Sequence, residues 1–116
     1  MIAGAETGSC LSLVTPDGER SMRPCLGVAD QLHSRYFQAA DYLPYSHFYV
    51  EGYILYTPEV AAEILAQARA AGLSVCYDAG SPELVAKHRG LLRELLDQYV
   101  TVALFNELEA EAFCGT

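Results

Sequence analysis

Three short runs dominated by apolar residues recur in the second half of the chain. They are HFYVEGYIL at 47–55, LSVCYD at 73–78 and TVALF at 101–105. Val, Ile, Tyr and Phe favour extended backbone, and apolar runs of this length are typical of strands. We therefore predict three strands, of which LSVCYD is buried.

A segment with a helical pattern follows each of these runs. The first helix has Thr57 as its cap and Pro58 in its first turn, and it ends at Gly72. Its apolar stripe consists of Val60, Ile64, Ala68 and Ala71. The second helix opens with Ser-Pro-Glu at 81–83, and its core face consists of Leu84, Leu91, Leu92, Leu95, Leu96 and Tyr99. The third helix begins at Asn106, directly after the last run.

The alternation of strands and helices predicts an α/β fold for residues 46–116. Right-handed βαβ crossovers produce this order, and they build a parallel sheet. In such sheets ligands bind beyond the carboxyl ends of the strands. The loops expected to form a site are therefore 51–57, 78–81 and 106–109. Residues 28–45 mix polar and aromatic side chains, which predicts a short helix with irregular flanks.

Residues 8–27 have a different pattern, in which two segments flank Asp17-Gly18. This dipeptide is favoured in two-residue hairpin turns. A turn there pairs Cys10 with Cys25, Ser12 with Arg23, and Val14 with Ser21. One face of the hairpin then carries those six residues, and the other carries Leu11, Leu13 and Met22. The first face, which is small and polar, suits either a ligand or water.

Acidic and amide side chains follow two of the predicted strands. Asn106 and Glu109 have the spacing of a capping box, with Asn at the cap and Glu at the third helical position. A carboxylate placed there can also hold hydrated Mg²⁺ near phosphates that the helix N-terminus attracts. Asp78 ends the preceding strand and could orient a metal-bound water or a hydroxyl, with Ser81 as the next cap. The pattern leaves the structural and the metal-binding interpretation open.

The charge balance excludes some classes of partner. Fifteen acidic and seven basic residues give a net charge of −8, and Lys87 is the only lysine, which argues against a nucleic-acid surface. No apolar run reaches the ~18 residues of a transmembrane helix. The first ten residues lack the basic start and apolar stretch of a signal peptide. We expect a cytoplasmic protein with neither a nucleic-acid nor a membrane partner.

Several common catalytic and cofactor motifs are absent from these 116 residues. Neither GxGxxG nor GxxxxGK[ST] occurs, so the sequence has no Rossmann or Walker fingerprint. The histidines, none of which has a Ser or Cys at motif spacing, are His33, His47 and His88. The cysteines, which lack zinc-ligand spacing and are expected to be reduced thiols, are Cys10, Cys25, Cys76 and Cys114.

The order of four segments resembles the central part of PfkB-type, or ribokinase-like, carbohydrate and nucleoside kinases. The segments are TGSCLSLVTPDGERSMRPCLGVA, YVEGYIL, GLSVCYDAGS and LFNELEAEAFCG, and they extend over residues 7–115. The NELE sequence at 106–109 matches the NxxE motif of this family. RSMRPCLG is most similar to the adenosine-kinase-like branch. Four segments in the right order make the resemblance more specific than any one of them.

The resemblance implies a partial ribokinase-like fold, with a three-layer parallel sheet, flanking helices and a β-hairpin from the lid. It implies transfer of the ATP γ-phosphoryl group to a sugar or nucleoside hydroxyl, with Mg²⁺. Asn106, Glu109 and Asp78 would belong to the Mg²⁺ and phosphate network, with Glu109 acting through water. Cys10 and Ser12 in the lid would approach the substrate, and the lid could join two chains in a homodimer.

Two motifs of the family are absent from residues 1–116. The Gly-Gly substrate motif precedes the matched region, and the GxGD motif, which bears the general base, follows it. The loop at 78–81 also lacks an Asn that is often found there. The chain is therefore expected to be a partial kinase domain that is inactive alone. Two alternatives stay open, a non-catalytic α/β binding module derived from a kinase and, less favoured, a receiver-like domain phosphorylated on Asp78.

Overall fold

In the computed structural model, which describes residues 4–115, the second half of the chain forms a parallel sheet flanked by helices. Residues 1–3 and 116, which the predicted domain limits 1–116 include, lie outside the described residues. The described chain divides into two compact parts, residues 4–32 and residues 33–115. We call them the hairpin unit and the sheet unit.

The elements follow the predicted order. The strands are β1 (Ser9–Val14), β2 (Arg20–Cys25), β3 (His47–Glu51), β4 (Ser74–Asp78) and β5 (Val102–Leu104). The α-helices are α1 (Ala39–Tyr42), α2 (Pro58–Ala70), α3 (Pro82–Tyr99) and α4 (Glu107–Cys114). Short 3-10 helices lie at Gly27–Gln31, Ser34–Tyr36 and Gly52–Tyr56. The short helix predicted within 28–45 is thus the four-residue α1 with 3-10 turns before it.

The sheet has the order β3-β4-β5, and both strand pairs are parallel, which confirms the prediction from the βαβ pattern. Glu51 and Asp78 are partners across β3 and β4, and Asp78 and Leu104 are partners across β4 and β5. Consecutive right-handed crossovers that advance in one direction place their helices on one side of a sheet. The helices that follow β3 and β4 accordingly pack on the same face.

The hydrophobic core lies between this face and the helices. β4 contributes Val75 and Tyr77, α2 contributes Leu65, and α3 contributes Leu92, all of them fully buried. The predicted core face of α3 is confirmed, since its six residues are buried or packed against the buried cluster. The buried face of α2 is wider than predicted, because Leu65 and Ala61 are buried beside the predicted stripe.

The first βα connection differs from the prediction in two details. The strand predicted over 47–55 ends at Glu51, because Gly52 begins a 3-10 turn that packs against the neighbouring loop. Pro58 is in the first turn of α2 as predicted, but the Thr57 hydroxyl does not cap the helix. It donates instead to the carbonyl oxygen of Ile54, 3.2 Å away, within the 3-10 turn.

The hairpin is shifted by one residue from the predicted register, so the predicted pairing is wrong. Cys10 lies opposite Pro24, and Ser12 lies opposite Met22. The loop has three residues because Thr15 pairs with Glu19, and Gly18 adopts a left-handed conformation with φ +87°. The Gly18 N–H donates to the Thr15 carbonyl oxygen over 2.9 Å, which closes the turn. A glycine in this position is typical of three-residue hairpin loops.

A shift of one residue moves every side chain of β2 to the other face of the hairpin. One face carries Cys10, Ser12, Val14, Arg20, Met22 and Pro24, and the other carries Ser9, Leu11, Leu13, Ser21, Arg23 and Cys25. The predicted polar face therefore contains Met22, whereas the predicted pairing places Met22 on the opposite face. All residues of both strands are exposed.

The sheet has a second face that the helices of the sheet unit do not cover. Its side chains include Tyr49 from β3, Cys76 from β4, and Val102 and Leu104 from β5. Residues 33–115 thus supply one helical layer of the expected three-layer arrangement. In the part of the chain that the structure describes, no helix has the length and apolar character needed to cross a bilayer.

Candidate functional site

The loops that follow the three parallel strands meet at one edge of the sheet, as the sequence predicts. The Ala79 N–H, just after β4, donates to the Leu104 carbonyl oxygen at the end of β5 over 3.0 Å. The Tyr53 hydroxyl, just after β3, donates to the Gly80 carbonyl oxygen over 3.0 Å. These two bonds join the middle loop to both of its neighbours.

Close packing at Gly52 holds the first two loops together. A Cβ atom at this position would lie 1.9 Å from the Ala79 carbonyl oxygen and 2.9 Å from the Tyr77 hydroxyl. Only a residue without a side chain allows such an approach. Gly52 is therefore a structural requirement of this edge, and its neighbour Glu51 brings a carboxylate beside Asp78.

Asp78 ends β4 and faces the uncovered side of the sheet, beside Tyr49. The Tyr49 hydroxyl donates to Asp78 Oδ2 over 2.7 Å. This hydrogen bond, with partial desolvation and the negative charge of Asp78, raises the pKa of Tyr49 to about 12. Tyr49 thus fixes one carboxylate oxygen of Asp78 and leaves Oδ1 as an acceptor for another group.

Asn106 and Glu109 form the predicted capping box at the start of α4. Asn106 Oδ1 accepts from the Glu109 N–H, and Glu109 Oε2 accepts from the Asn106 N–H, both over 2.9 Å. The structural interpretation of this pair is thereby confirmed. Glu109 is only 4% exposed, so its carboxylate is held in a single orientation in a partly dehydrated position. This burial could not be predicted from the sequence, because the first turn of a helix is usually exposed.

Tyr77 is a further residue at this edge, and the sequence predicts it only as part of a buried strand. Its side chain is 1% exposed, and among the described residues its hydroxyl has no hydrogen-bond partner. Burial, together with the nearby carboxylates of Glu109 and Asp78, raises the pKa of the Tyr77 hydroxyl far above its usual range. Tyr77 therefore stays neutral between the two acidic loops.

The structure brings some of the predicted site residues together and leaves others apart. Asp78 and Asn106 lie in adjacent loops of one edge, and the carboxylates of Asp78 and Glu109 both raise the pKa of Tyr77. No hydrogen bond joins Asp78 to Glu109 among those of the described residues. Cys10 and Ser12 belong to the hairpin unit, where they share one exposed face.

The donor atoms at the edge suit a hydrated Mg²⁺ better than a metal enclosed by protein. Within residues 4–115, no three His, Cys, Asp or Glu side chains are grouped so that they could hold a metal ion. Carboxylate and amide oxygens are the ligands that Mg²⁺ prefers, and this ion usually keeps several waters when it binds beside phosphates. Asp78 Oδ1 and the Glu109 carboxylate are of this kind.

Comparison with known proteins agrees with the resemblance found in the sequence. A family model described as pfkB family carbohydrate kinase matches residues 1–116. No curated protein matches the chain. Among solved structures, an adenosine kinase from Sinorhizobium meliloti is similar over 95% of this chain, with 28% identity and a TM-score of 0.84.

Two further solved structures have the same fold over nearly the whole chain. A probable sugar kinase from Rhizobium etli matches 94% of it with 26% identity and a TM-score of 0.84. An Anopheles gambiae adenosine kinase in complex with di(adenosine-5) tetraphosphate matches 98% with 27% identity and a TM-score of 0.82. The chain spans only 35%, 34% and 36% of the three proteins, in the order given. The expected α/β fold, a partial ribokinase-like fold, is confirmed.

Proposed function

The chain belongs to the pfkB family of carbohydrate kinases, and we propose that it is part of an ATP-dependent kinase that phosphorylates a sugar or nucleoside hydroxyl. The observation that carries this proposal is the position of Asp78 and of Asn106 with Glu109 in adjacent loops at the carboxyl edge of one parallel sheet. Open α/β sheets bind their ligands at this edge. Similarity to adenosine kinases and a probable sugar kinase supports the substrate class.

Asn106 and Glu109 would contribute to phosphate and Mg²⁺ binding through the geometry of the capping box. The box leaves Glu109 Oε1 available to a metal-bound water, because Oε2 is engaged with the Asn106 N–H. The helix N-terminus adds a partial positive charge that favours phosphate oxygens. When bound, Mg²⁺ would neutralise part of the charge on the transferring phosphoryl group.

Asp78 would orient a water molecule or a hydroxyl at the same edge. Its Oδ2 accepts from Tyr49, so the rotation of the carboxylate is restricted and Oδ1 has a defined direction. Fixed acceptors of this kind contribute to phosphoryl transfer by positioning, which is the main task of the protein in that reaction. Asp78 therefore has a role as a positioning group, and the general base is expected in the GxGD motif that residues 1–116 lack.

Cys10 and Ser12 would contact the substrate from the lid. They share an exposed face of the hairpin, which suits a surface that closes over a ligand.

The lid would also join two chains, since Leu11 and Leu13 are exposed on the other face. Substitution of Leu11 by Asp should dissociate such a homodimer, as measured by light scattering after size-exclusion chromatography.

The four cysteines are free thiols, as a reducing cytoplasm would keep them.

Binding of MgATP tests the proposed site without requiring turnover. We expect ATP to bind the chain in the presence of Mg²⁺, and we expect Glu109→Gln to weaken this binding ~10-fold because the charge on the metal network is lost. Gln keeps an oxygen for the Asn106 N–H, so the cap is preserved. Glu111→Gln removes the same charge from an exposed position of the same helix and is the matched control. Equal effects of both substitutions, or binding that is insensitive to EDTA, would contradict the proposal.

The chain alone is expected to lack kinase activity, because residues 1–116 contain no GxGD motif. Incubation with MgATP and ribose, fructose or adenosine should therefore give no phosphorylated product.

The second candidate function is that of a non-catalytic binding module, and the continuous core of residues 33–115 favours it. This candidate predicts cooperative unfolding without MgATP binding. The receiver-like alternative predicts covalent labelling of Asp78 by a small phosphodonor.

A further inference from the structure

Tyr77 carries a buried hydroxyl whose proton no group in residues 4–115 accepts. Among the described residues it is the only fully buried side-chain donor or acceptor in this situation. Tyr42, another tyrosine of the core, donates its hydroxyl to Gln67 Oε1 over 3.1 Å. A hydroxyl buried without a partner lowers stability, and phenylalanine would fill the same space without this cost. The Tyr77 hydroxyl therefore indicates a role other than stabilisation of the fold.

This hydroxyl lies at the carboxyl edge of the sheet, close to two of the connections that form the candidate site. A Cβ atom at Gly52 would lie 2.9 Å from the hydroxyl oxygen, which therefore sits against the loop that follows β3. The buried carboxylate of Glu109, in the first turn of α4, also acts on this group. After burial itself, the charge of Glu109 is the largest cause of the raised pKa of Tyr77. The loop after β3 and the helix after β5 are thus both close to one buried hydroxyl.

Glu109 is the acceptor that remains for this hydroxyl. Asp78 is the next residue of β4, so its side chain points to the opposite face of the sheet. The Ala79 carbonyl oxygen already accepts from the Ser81 N–H over 2.9 Å. Glu109 Oε2 is engaged in the capping box, whereas Oε1 has no donor in the part of the chain that the structure describes. Oε1 is therefore the oxygen that can accept a hydrogen bond from Tyr77.

We propose that Tyr77 is a positioning residue, whose hydroxyl donates to Glu109 Oε1 when Mg²⁺ and phosphate are bound at the start of α4. This role rests on the proposed function and adds to it a residue that lies outside the NxxE motif. The two groups are not hydrogen-bonded in this structure, so binding would have to bring the first turn of α4 closer to Tyr77. A carboxylate oxygen accepts two hydrogen bonds, so Oε1 can hold a metal-bound water as well. Hydrogen bonds to ligating carboxylates fix their orientation and change metal affinity by about 10–100-fold.

Substitution by phenylalanine should have opposite effects at the two buried tyrosines when no nucleotide is present. Tyr77→Phe removes an unpaired hydroxyl and should raise the thermal midpoint by about 4 °C. Tyr42→Phe, the matched control, breaks the bond to Gln67 and should lower the midpoint by about 4 °C. Differential scanning calorimetry measures both shifts. A midpoint of Tyr77→Phe at or below that of wild type would overturn the proposal, because the hydroxyl would then have an acceptor in the unbound chain.

Nucleotide binding should respond in the reverse direction. The anisotropy of a fluorescent ATP analogue, measured as Mg²⁺ is added, gives the Mg²⁺ concentration at half-maximal binding. We expect Tyr77→Phe to raise this concentration about 10-fold and Tyr42→Phe to leave it unchanged. On the Glu109→Gln background, Tyr77→Phe should change it by less than about 2-fold, because the hydroxyl acts through the Glu109 carboxylate. A residue that only supports the fold would not show this dependence on Glu109.

The outcomes separate this role from the proposed function. If wild type and Tyr77→Phe bind MgATP equally, the positioning role is wrong and the nucleotide site stands. The same conclusion follows if Tyr77→Phe has an equal effect with and without Glu109→Gln. A wild-type chain that binds no MgATP contradicts the proposed function, and this role with it. A Tyr77→Phe protein that is more stable than wild type but binds MgATP more weakly supports both.

Discussion

The hairpin unit and the sheet unit are both built on short paired strands, but only the sheet unit buries the side chains of its strands. Every residue of β1 and β2 is exposed, whereas β4 places Val75 and Tyr77 in the core. Burial makes a register specific, because a shift of one residue would move the apolar side chains into water. In the hairpin, the turn alone sets the register, and this is where the predicted pairing is wrong.

The largest expected difference between the two units is the effect of removing a leucine side chain. Leu92→Ala should lower the free energy of unfolding of the sheet unit by about 4 kcal/mol, because Leu92 is fully buried and its loss leaves a cavity. Leu11 in the hairpin is 60% exposed, so Leu11→Ala should change the free energy of unfolding of the hairpin unit by less than about 0.5 kcal/mol. Urea denaturation followed by far-ultraviolet circular dichroism measures both values. Similar losses would mean that the hairpin has a core of its own.

The same contrast explains which parts of the fold could be predicted. Apolar periodicity and helix boundaries gave the order of the strands and helices in residues 46–115, since buried faces leave a regular pattern in the sequence. The extent of β3 could not be predicted, because Gly52 ends the strand by a contact with Ala79, which is distant in sequence. The hairpin register could not be predicted either, because two-residue and three-residue loops around Gly18 are both compatible with the sequence.

The contact at Gly52 predicts the next largest effect. Gly52→Ala should destabilise the sheet unit by about 3 kcal/mol, because a Cβ atom 1.9 Å from the Ala79 carbonyl oxygen forces the two loops apart. Gly90→Ala is the control, since Gly90 is inside α3 and a Cβ atom there would enter open space beside the helix. That change should stabilise the protein by about 0.5–1 kcal/mol. A Gly52→Ala protein as stable as wild type would show that the two loops are not tightly joined.

The candidate site could be predicted only as far as local spacing determines it. Asn106 and Glu109 are three residues apart, so their hydrogen bonds follow from the helix geometry alone. The bond between Tyr49 and Asp78 joins residues 29 positions apart, and it depends on the register of β3 against β4. Spacing along one segment contains no information about such a contact.

Loss of the cap at the start of α4 should lower stability less than Leu92→Ala or Gly52→Ala. Asn106→Ala removes the acceptor for the Glu109 N–H and should lower stability by about 1 kcal/mol. Asn106→Asp keeps an acceptor and adds a negative charge that the N-terminus of α4 favours, so it should retain wild-type stability. The thermal midpoints of the three proteins measure this difference. A loss of stability in the Asp variant equal to that in the Ala variant would contradict the role of the cap.

The bond between Tyr49 and Asp78 predicts a dependence on alkaline pH in the sheet unit. The pKa of Tyr49 is raised to about 12 from its usual value near 10, so the folded state favours the neutral phenol. Its contribution to stability is complete below about pH 10 and is lost as the pH rises through about 12. Titration of ¹³C-labelled tyrosine, assigned with Tyr49→Phe, measures the pKa. Asp78→Asn should lower it towards 10, and an unchanged value would show that Asp78 does not cause the shift.

The smallest expected effect is a local dependence on acidic pH in the hairpin. Hydrogen bonds from the Thr15 hydroxyl and the Glu19 N–H lower the pKa of Asp17 below its usual range, so the folded turn favours the carboxylate. The contribution of this group is present above the pKa of Asp17 in the unfolded chain and is lost as the pH falls through its lowered value. Exchange of the Gly18 amide proton, whose N–H donates to Thr15, should accelerate relative to a model peptide as the pH falls. Asp17→Asn keeps an oxygen acceptor but cannot titrate, so its Gly18 protection should be independent of pH. If wild type and Asp17→Asn lost protection together, the turn would not depend on this carboxylate, and some other interaction would set the register of the exposed hairpin.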